Sequence, residues 1–281
     1  MTLKELLRFA CLKLKAMPNN TPILLIGAGK MGQAMLKGWL GSDFSSIQVL
    51  ENFPSDALKS LPIELNPSSV IIDENQTVIL AVKPQNYRDV LDEHQANIHP
   101  DAMVVSILAG ISIEALQNAL PGRSIVRAMP NTPATIGQGL TALCAVEDIS
   151  NSHKNFATNL MQAVGEVVWL ENEAMIDAVT AVSGSGPAYL FHFVEALTAA
   201  AIDVGFAPDM AETFARKTII GSAELLESSG ENAAQLRENV TSKGGTTQAA
   251  LEVLMADPGL QSIVLEAVKA AKKRSEELSK I

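Results

Sequence analysis

The chain reads Ile23-Leu24-Leu25-Ile26-Gly27-Ala28-Gly29-Lys30-Met31-Gly32 near its start, and this stretch decides the fold. A short apolar run, typical of a buried strand, leads directly into the pattern Gly-x-Gly-x-x-Gly, and a helical stretch follows. In that context Gly27 permits a tight turn, Gly29 lets the backbone approach a pyrophosphate, and Gly32 allows the helix to pack on the strand. The N–H groups and dipole at the start of the helix also favour a phosphate. The alternative is that the glycines serve a turn alone. The predicted cofactor-binding residues are Gly27, Ala28, Gly29, Lys30, Met31 and Gly32.

An acidic residue ends the second predicted strand. Ile47, Val49 and Glu51 share one face of that strand, which places Glu51 at its carboxyl end. An acid there normally accepts hydrogen bonds from the adenosine ribose hydroxyls and repels a 2′-phosphate, which favours NAD. Asn52 and nearby Ser55 could instead handle a phosphate, and Glu51 could be a solvated loop acid. Glu51 and Asn52 are therefore predicted to bind the cofactor, and the choice between NADPH and NADH stays open.

Two later strands end in residues that should line the same crevice, because the carboxyl ends of parallel strands meet at one edge of the sheet. The backbone after Val78–Val82 would pass the nicotinamide side of the cofactor, and Lys83 would add a cation or simply be an exposed lysine. The prolines at 130 and 133 fix an extended path that forms either a wall of the nicotinamide pocket or a rigid turn. The predicted cofactor-binding residues here are Ala81, Val82, Lys83, Pro84, Met129, Pro130 and Asn131.

Strands and helices alternate in the first part of the chain. Strands are predicted at Ile23–Ile26, Ile47–Leu50, Val78–Val82, Met103–Ile107, Ile125–Ala128 and Val167–Leu170. Helical stretches are predicted at Met31–Leu40, Tyr87–Ala96, Ile113–Leu120 and Lys154–Val164. This alternation indicates βαβ units and a mostly parallel sheet.

The last third of the chain differs in composition. Only three prolines follow residue 170, and alanine becomes denser there, which together predict an almost entirely helical region. The predicted fold class is α/β, with an N-terminal Rossmann-like dinucleotide-binding domain and a C-terminal all-helical domain. The predicted ranges are 1–20 for an N-terminal extension, 21–170 for the Rossmann domain and 171–281 for a helical dimerisation and substrate domain. Alanine-rich helices with apolar stripes would expose more apolar surface than one monomer could cover, so we expect a homodimer or a higher homo-oligomer.

Composition restricts the class of protein. The chain has 31 acidic and 21 basic side chains, a formal net charge of −10, and only 4% aromatic residues, which argues against a nucleic-acid partner. Two distant cysteines form neither a disulfide framework nor a metal site, so we expect a reducing, cytoplasmic location and no metal. No apolar stretch approaches the length of a membrane span. Residues 1–17 are interpreted as an accessory extension, or as the result of an upstream start codon with Met17 as the native start; a helix at a membrane surface is the weaker alternative.

Four further motifs carry a resemblance to a known family. They are Ala81-Val82-Lys83-Pro84, Val126-Arg127-Ala128-Met129-Pro130-Asn131-Thr132-Pro133, Val182-Ser183-Gly184-Ser185-Gly186-Pro187-Ala188-Tyr189, and Val240-Thr241-Ser242-Lys243-Gly244-Gly245-Thr246-Thr247. Together with the glycine pattern, and from about Thr21 to the C-terminus, the chain closely resembles Δ1-pyrroline-5-carboxylate reductase. Lys243 departs from the proline that many relatives carry. The resemblance implies reduction of this cyclic imine to L-proline by hydride from NADPH or NADH, the last step of proline biosynthesis.

The last motif is the predicted substrate site. Two glycines free the backbone before a helix, so several N–H groups could converge on the substrate carboxylate, although an ordinary helix start would look the same. The resemblance favours the site: it implies that the Thr247 hydroxyl bonds the ring nitrogen, and that this loop faces a cofactor bound by another subunit. The predicted substrate-binding residues are Ser242, Gly244, Gly245, Thr246 and Thr247, with Thr247 also catalytic.

Histidines offer no obvious general base. His153 is expected at a solvated helix surface, and His192 is expected in a packed core between two phenylalanines. Water or Thr247 would then assist protonation. The remaining alternatives are a non-catalytic dinucleotide-sensing module and a related imine or β-hydroxyacid reductase. The hydroxyacid enzymes place a lysine base after the domain boundary, and the segment from Ala174 to Glu195 contains none.

Overall fold

A computed structural model describes residues 21–279, except 43, 45, 71, 74 and 75. The predicted N-terminal extension lies outside the described residues. The chain divides into two compact units, one running to Gly184 and including Lys273–Ile281, the other Ser185–Lys272. The domain ranges drawn from the sequence remain predictions.

One eight-stranded sheet organises the described part of the first unit. Its strands are β1 (Ile23–Ile26), β2 (Ile47–Leu50), β3 (Glu64–Leu65), β4 (Thr77–Leu80), β5 (Met103–Ser106), β6 (Ser124–Met129), β7 (Gly139–Ala145) and β8 (Gly165–Trp169). They lie in the order β3-β2-β1-β4-β5-β6-β7-β8, and every neighbouring pair is parallel except β6 with β7. The predicted mostly parallel sheet is confirmed.

Helices connect these strands. In this unit they are α1 (Lys30–Leu40), α2 (Asp56–Lys59), α3 (Tyr87–His94), α4 (Ile113–Ala119), α5 (Asn151–Gln162) and α6 (Met175–Val179), and a π-helical turn follows at Thr180–Gly184. Side chains of β1 alternate between the two faces of the sheet and are buried on both, since Ile23 and Leu25 join one apolar cluster and Leu24 and Ile26 join the other. A strand that is buried on both faces is typical of a parallel sheet covered by helices on each side.

The strand β7 was missed by sequence reasoning. Its sequence, Gly-Leu-Thr-Ala-Leu-Cys-Ala, lacks the β-branched runs that mark the other strands. It is extended because residues 142–145 pair with β6 and residues 139–143 pair with β8, and this pairing overrides weak local propensity. It also introduces the one antiparallel pair of the described sheet.

A buried ion pair anchors β6 to the segment before α6. The Arg127 side chain is 5% exposed, and its Nη1 lies 2.7 Å from Oε1 of Glu173. The same carboxylate oxygen accepts the backbone N–H of Ile113 at 2.8 Å. One carboxylate therefore links a central strand, the start of α4 and the approach to α6, and so helps to hold the end of β6.

The second unit is helical. It contains α7 (Gly186–Asp203), α8 (Pro208–Ser229), α9 (Ala233–Asn239), α10 (Thr246–Leu254) and most of α11 (Leu260–Leu278). Pro187 lies in the first turn of α7 and Pro208 in that of α8, where a proline needs no backbone partner. Together with the sheet, these helices confirm the predicted fold class. No helix in the described ranges is both long and apolar enough to cross a membrane.

Candidate functional site

The glycine-rich turn lies where the order of the strands in the sheet reverses. From β1 the chain proceeds to β2 and β3 on one side, and then crosses to β4 and onward on the other. The Gly27 N–H donates to the Leu50 carbonyl at 2.8 Å, and the Ala81 N–H donates to the Ile26 carbonyl at 2.8 Å. The carboxyl ends of β1, β2 and β4 therefore meet at one point. In open α/β sheets this switch point is the crevice where ligands bind.

The three glycines of the turn have different surroundings and therefore different roles. Gly27 has φ +91°, and a Cβ placed there would lie 2.8 Å from the backbone of Ala81, so both conformation and space require glycine. A Cβ on Gly32 would lie 2.6 Å from the Gly27 carbonyl oxygen, which is the close approach of helix to strand predicted from the sequence. A Cβ on Gly29 would meet nothing within 4 Å. Gly29 is thus the glycine that leaves open space, on the side from which a ligand can approach.

The start of α1 fits a pyrophosphate. Gly29 immediately precedes the helix, and both Gly29 and Lys30 are exposed. The first N–H groups of a helix have no intrahelical acceptor, and the helix dipole is positive there. Exposed donors beside open space at a switch point are the arrangement that a dinucleotide phosphate needs. The residues present therefore fit the phosphates of a dinucleotide.

Glu51 is tied into this turn. Its Oε2 accepts the Ala28 N–H at 2.7 Å, and its Oε1 accepts the Phe53 N–H at 3.0 Å. Asn66 brackets the same residue, because its side-chain amide accepts the Glu51 N–H and donates to the Glu51 carbonyl, both at 2.9 Å. The structure thus brings Glu51 to the glycine-rich turn, whereas Asn52 is exposed beside it. Asn66 was missed by sequence reasoning, since no local signal links it to a residue fifteen positions away.

The segment after β4 lies beside the same turn. Ala81 and Val82 contact the space next to Gly27 and are half-buried. Lys83 is exposed, and Pro84 starts a short 3-10 turn at Pro84–Asn86. This placement puts the backbone of Ala81 and Val82 at the switch point, as the sequence predicted. Lys83 lies at the entrance with its cation available to solvent.

The end of β6 is fixed by the Ser-Gly-Ser-Gly motif. Asn131 donates from Nδ2 to the Ser183 hydroxyl at 3.0 Å and accepts the Leu140 N–H on Oδ1 at 2.9 Å. Met129 packs so close to Gly184 that its terminal methyl group would lie 3.0 Å from an added Cβ. Asn131 therefore uses its amide to join three segments of the first unit. Ser183 was not among the predicted site residues, although its motif had been singled out.

A second glycine turn lies in the helical unit, before α10. Gly244 has φ +72°, and its N–H donates to Oε1 of Gln248 at 2.7 Å. The first intrahelical bond joins the Ala249 N–H to the Gly245 carbonyl at 3.2 Å, so the N–H groups of residues 246–248 have no helical acceptor. This start of a helix can accept an anion on residues 246–248, while the Gly244 N–H is already engaged.

Hydroxyl groups flank these donors. Thr247 is half-buried, and no described residue hydrogen-bonds its hydroxyl. Ser242 and Thr246 are exposed in the same turn, and the Ser242 carbonyl accepts the Gly245 N–H at 3.0 Å. The turn therefore offers a hydroxyl next to backbone donors, which suits a ligand with both a carboxylate and a polar ring atom.

The two histidine predictions need correction. His192 is 81% exposed in the described chain, with Nδ1 2.9 Å from Oε2 of Glu195, so it is not a core residue. Sequence reasoning failed because α7 is apolar around much of its surface but buries no residue within the described chain. His153 is half-buried rather than solvated, its Nδ1 has no hydrogen-bond partner in the described chain, and burial lowers its pKa. Neither histidine lies in the two glycine turns.

Other reactive groups lie elsewhere. Cys144 is a buried free thiol on β7, and burial, followed by the nearby Glu173 carboxylate, raises its pKa. A raised pKa reduces the thiolate fraction and makes the sulfur a poor nucleophile. Within the described ranges no three His, Cys, Asp or Glu side chains are placed to hold a metal ion.

Comparison with known proteins identifies relatives over most of the chain. Residues 173–278 match the family model for pyrroline-5-carboxylate reductase dimerisation, and residues 22–110 match that for NADP oxidoreductase, coenzyme F420-dependent. The pyrroline-5-carboxylate reductase of Haemophilus influenzae is 38% identical over 91% of this chain and 97% of its own length. The Pisum sativum enzyme of that name is 34% identical over 90% of this chain and 94% of its own.

Solved structures of proteins with the same name are also similar to this chain. A pyrroline-5-carboxylate reductase from Coxiella burnetii superposes with a TM-score of 0.83 at 34% identity, covering 93% of this chain and 100% of that one. The Plasmodium falciparum pyrroline carboxylate reductase, solved with NADP bound, has a TM-score of 0.79 at 25% identity and covers 93% of this chain and 99% of that one.

Proposed function

The chain belongs to the pyrroline-5-carboxylate reductase family, and on that premise we propose that it reduces Δ1-pyrroline-5-carboxylate to L-proline with hydride from NADPH or NADH. This is the last step of proline biosynthesis. The observation that carries the proposal is the Gly27–Gly32 turn at the switch point of the sheet, with open space at Gly29, in a chain of this family.

The first unit holds the cofactor. The exposed start of α1 would bind the pyrophosphate, Glu51 would face the adenosine ribose, and the backbone at Ala81 and Val82 would line the path toward the nicotinamide. When bound, the reduced nicotinamide supplies the hydride. The protein groups described here orient and surround the cofactor and take no part in redox chemistry themselves.

The second glycine turn holds the substrate. The N–H groups of residues 246–248 would bind the substrate carboxylate, and the Thr247 hydroxyl would hydrogen-bond the ring nitrogen. The ring nitrogen takes a proton from water to give the iminium, hydride adds to the carbon of its C=N bond, and the electron pair of that bond moves to nitrogen, which keeps the proton in the product. A hydroxyl at the nitrogen keeps that proton in place, and a fixed carboxylate orients the reacting carbon.

Assembly uses the helical unit, which matches a dimerisation family model. Large apolar side chains on α7 and α8 are exposed in the single chain, including Phe191 at 62% and Phe214 at 51%. Among the described residues α7 buries none, and α8 buries only Ala211 and Ala215. So much apolar surface requires a covering partner. A second copy of the chain covers it, in a homodimer or a larger homo-oligomer.

A cytoplasmic location also belongs to the proposal. It is supported by the sparse cysteine content of the sequence, since Cys11 and Cys144 are far apart and form no disulfide framework.

The test is an assay of the purified chain with Δ1-pyrroline-5-carboxylate and either reduced cofactor. We expect oxidation of the cofactor that depends on the imine, with one proline formed for each cofactor consumed. The oxo acid of a β-hydroxyacid pair serves as the control substrate, because a β-hydroxyacid dehydrogenase would reduce it with the same reduced cofactor. Cofactor binding without oxidation in the presence of the imine would overturn the proposal in favour of a dinucleotide-sensing module.

A further inference from the structure

We infer that the loop after β2 recognises an adenosine whose 2′-hydroxyl is unphosphorylated, with Glu51 binding the ribose and Phe53 stacking on the adenine. This inference rests on one part of the proposed function, namely that the chain binds a nicotinamide dinucleotide. It goes further by assigning NADH as the preferred cofactor and by naming an aromatic residue of the adenosine site.

The Glu51 carboxylate is oriented by two backbone donors. Its oxygens accept the Ala28 N–H at 2.7 Å and the Phe53 N–H at 3.0 Å. A carboxylate has about four acceptor positions. Two therefore remain for the hydroxyl groups of a ribose, and the bond to Ala28 places them beside the glycine-rich turn at which the pyrophosphate would bind.

Asn66 shows that this position is built rather than incidental. It is the described non-glycine residue with positive φ, at 50°, a conformation that asparagine adopts more readily than most side chains. In that conformation its amide makes two 2.9 Å bonds to the N–H and carbonyl of Glu51. The backbone of Glu51 is thus held on both sides by Asn66, and the carboxylate is held separately by the Ala28 and Phe53 N–H groups.

The charge of the loop after β2 disfavours a 2′-phosphate. Among residues 51–66, Lys59 is the one cationic side chain, and its Nζ lies 3.0 Å from Oδ1 of Asp56. A 2′-phosphate beside Glu51 would bring a dianion to a carboxylate that two N–H groups hold in place, and the one lysine of the loop lies in an exposed pair with Asp56. Sites that accept NADP instead place an arginine near the ribose. The loop contains none.

Phe53 supplies an aromatic face. Its side chain is 91% exposed, the largest exposure of any large apolar side chain in the described ranges. The Phe53 N–H donates to the Glu51 carboxylate, so the ring is attached only two residues from the side chain that would hold the ribose. An exposed aromatic ring next to a nucleoside subsite is suited to stacking on a base. The Plasmodium falciparum relative was solved with NADP bound. A preference of this chain for NADH would therefore be a difference between two members of one family.

The experiment is calorimetric titration of the wild-type chain, without substrate, with NADH and NADPH and then with 5′-AMP and adenosine 2′,5′-bisphosphate. We expect NADH to bind at least about tenfold more tightly than NADPH, because one unbalanced charge pair near the surface is worth about a factor of ten or more. The two adenosine fragments should show the same order. Equal or tighter binding of NADPH would overturn the inference and leave the proposed function intact. Binding of neither dinucleotide would overturn both.

Two variants separate the roles of the loop residues. Glu51→Gln, which keeps an acceptor but removes the charge, should bring the two dinucleotide affinities to within about threefold of each other. Phe53→Ala should weaken both dinucleotides about tenfold and leave their ratio unchanged, because adenine is common to both. Phe53→Tyr should restore affinity, and thermal unfolding checks that each variant is folded. If folded Glu51→Gln keeps the wild-type ratio of NADH to NADPH affinity, or if folded Phe53→Ala keeps the wild-type affinities, the assigned roles are wrong. If Glu51→Gln does not fold, the titration of the wild-type chain with the two adenosine fragments still decides the preference.

Discussion

The two glycine turns use one device in two different settings. Each places glycine before a helix so that exposed N–H groups can bind an anion, at Gly27–Gly32 before α1 and at Gly244-Gly245 before α10. The first is enclosed by the ends of three strands and by long-range bonds such as that from Ala28 to Glu51. The second is held by neighbours in sequence, through Gln248 and Ser242.

This difference separates structural from functional glycines. Gly27 and Gly244 both have positive φ, but an added Cβ would clash with the backbone of Ala81 at Gly27 and would meet nothing within 4 Å at Gly244. The Gly27–Gly32 turn is therefore part of the core of its unit, whereas the turn at Gly244-Gly245 is a local loop. Substitution of Gly27 should therefore damage the fold, whereas substitutions in the second turn should mainly affect the chemistry.

The largest expected effect is that of Gly27→Ala. We expect it to lower the free energy of unfolding by about 2–4 kcal/mol, because backbone strain and the contact with Ala81 add together. The matched control is Gly244→Ala, which has similar strain without the contact and should cost about 1 kcal/mol. Urea unfolding of both variants measures the difference. Equal losses would remove the distinction between an enclosed and a local turn.

Thr247→Ala tests whether the second turn contributes to the reaction. Loss of a hydroxyl that bonds a charged ring nitrogen should reduce kcat about 10–100-fold, while the cofactor Kd and the unfolding free energy stay near wild type. Thr247→Ser keeps the hydroxyl and should recover most of the activity. Steady-state kinetics, together with cofactor titration, provide the readout. A parallel loss of cofactor affinity would mean that Thr247 does not belong to a separate substrate site.

Gly29→Ala is the functional counterpart within the first turn. Because its Cβ would meet no protein atom within 4 Å, we expect the unfolding free energy to change by less than about 0.5 kcal/mol. The methyl group would instead occupy space needed by the pyrophosphate and weaken dinucleotide binding about tenfold or more. Titration with NADH and NADPH, paired with urea unfolding, measures the two quantities. Unchanged affinity would show that the phosphates do not approach Gly29.

The smallest effect concerns His153, which lies away from both turns. Burial lowers its pKa below the ordinary value of 6.5, so the unfolded chain takes up a proton at a higher pH than the folded chain does. Stability is therefore lost as the pH falls below about 6.5. His153→Gln should make this decline shallower by less than about 1 kcal/mol between pH 7 and pH 5.5. Urea unfolding at the two pH values tests it, and a steeper decline in the variant would have the wrong sign.

Local patterns predicted much of the first unit. The strands at Ile23–Ile26 and Ile47–Leu50 have the predicted bounds, because short β-branched runs next to glycine or an acid leave few alternatives. The strand Gly139–Ala145 escaped prediction because its extended form depends on pairing with both neighbours. His192 escaped for the opposite reason, since an apolar helix was taken to be buried in its own chain.

The candidate site divides in the same way. The glycine patterns and the acid at Glu51 are local and could be read directly from the chain. The partners of these residues could not, since Asn66 reaches Glu51 and Ser183 reaches Asn131 only after folding. The assignment of Ser242, Gly244, Gly245 and Thr246 to the substrate remains a prediction, as does that of the cofactor residues.

By itself the sequence determined that a strand, a glycine turn and a helix follow one another, because each depends on the conformational freedom of a few consecutive residues. Tertiary structure alone decided which glycine faces open space and which is packed against Ala81, since that depends on where a distant strand ends. It also decided that Glu51 turns its carboxylate onto the Ala28 N–H and is bracketed by Asn66. Contacts between residues far apart in sequence form only when the sheet aligns its strands, and they set the difference between a turn that is packed into the core and one that is held by its neighbours in sequence.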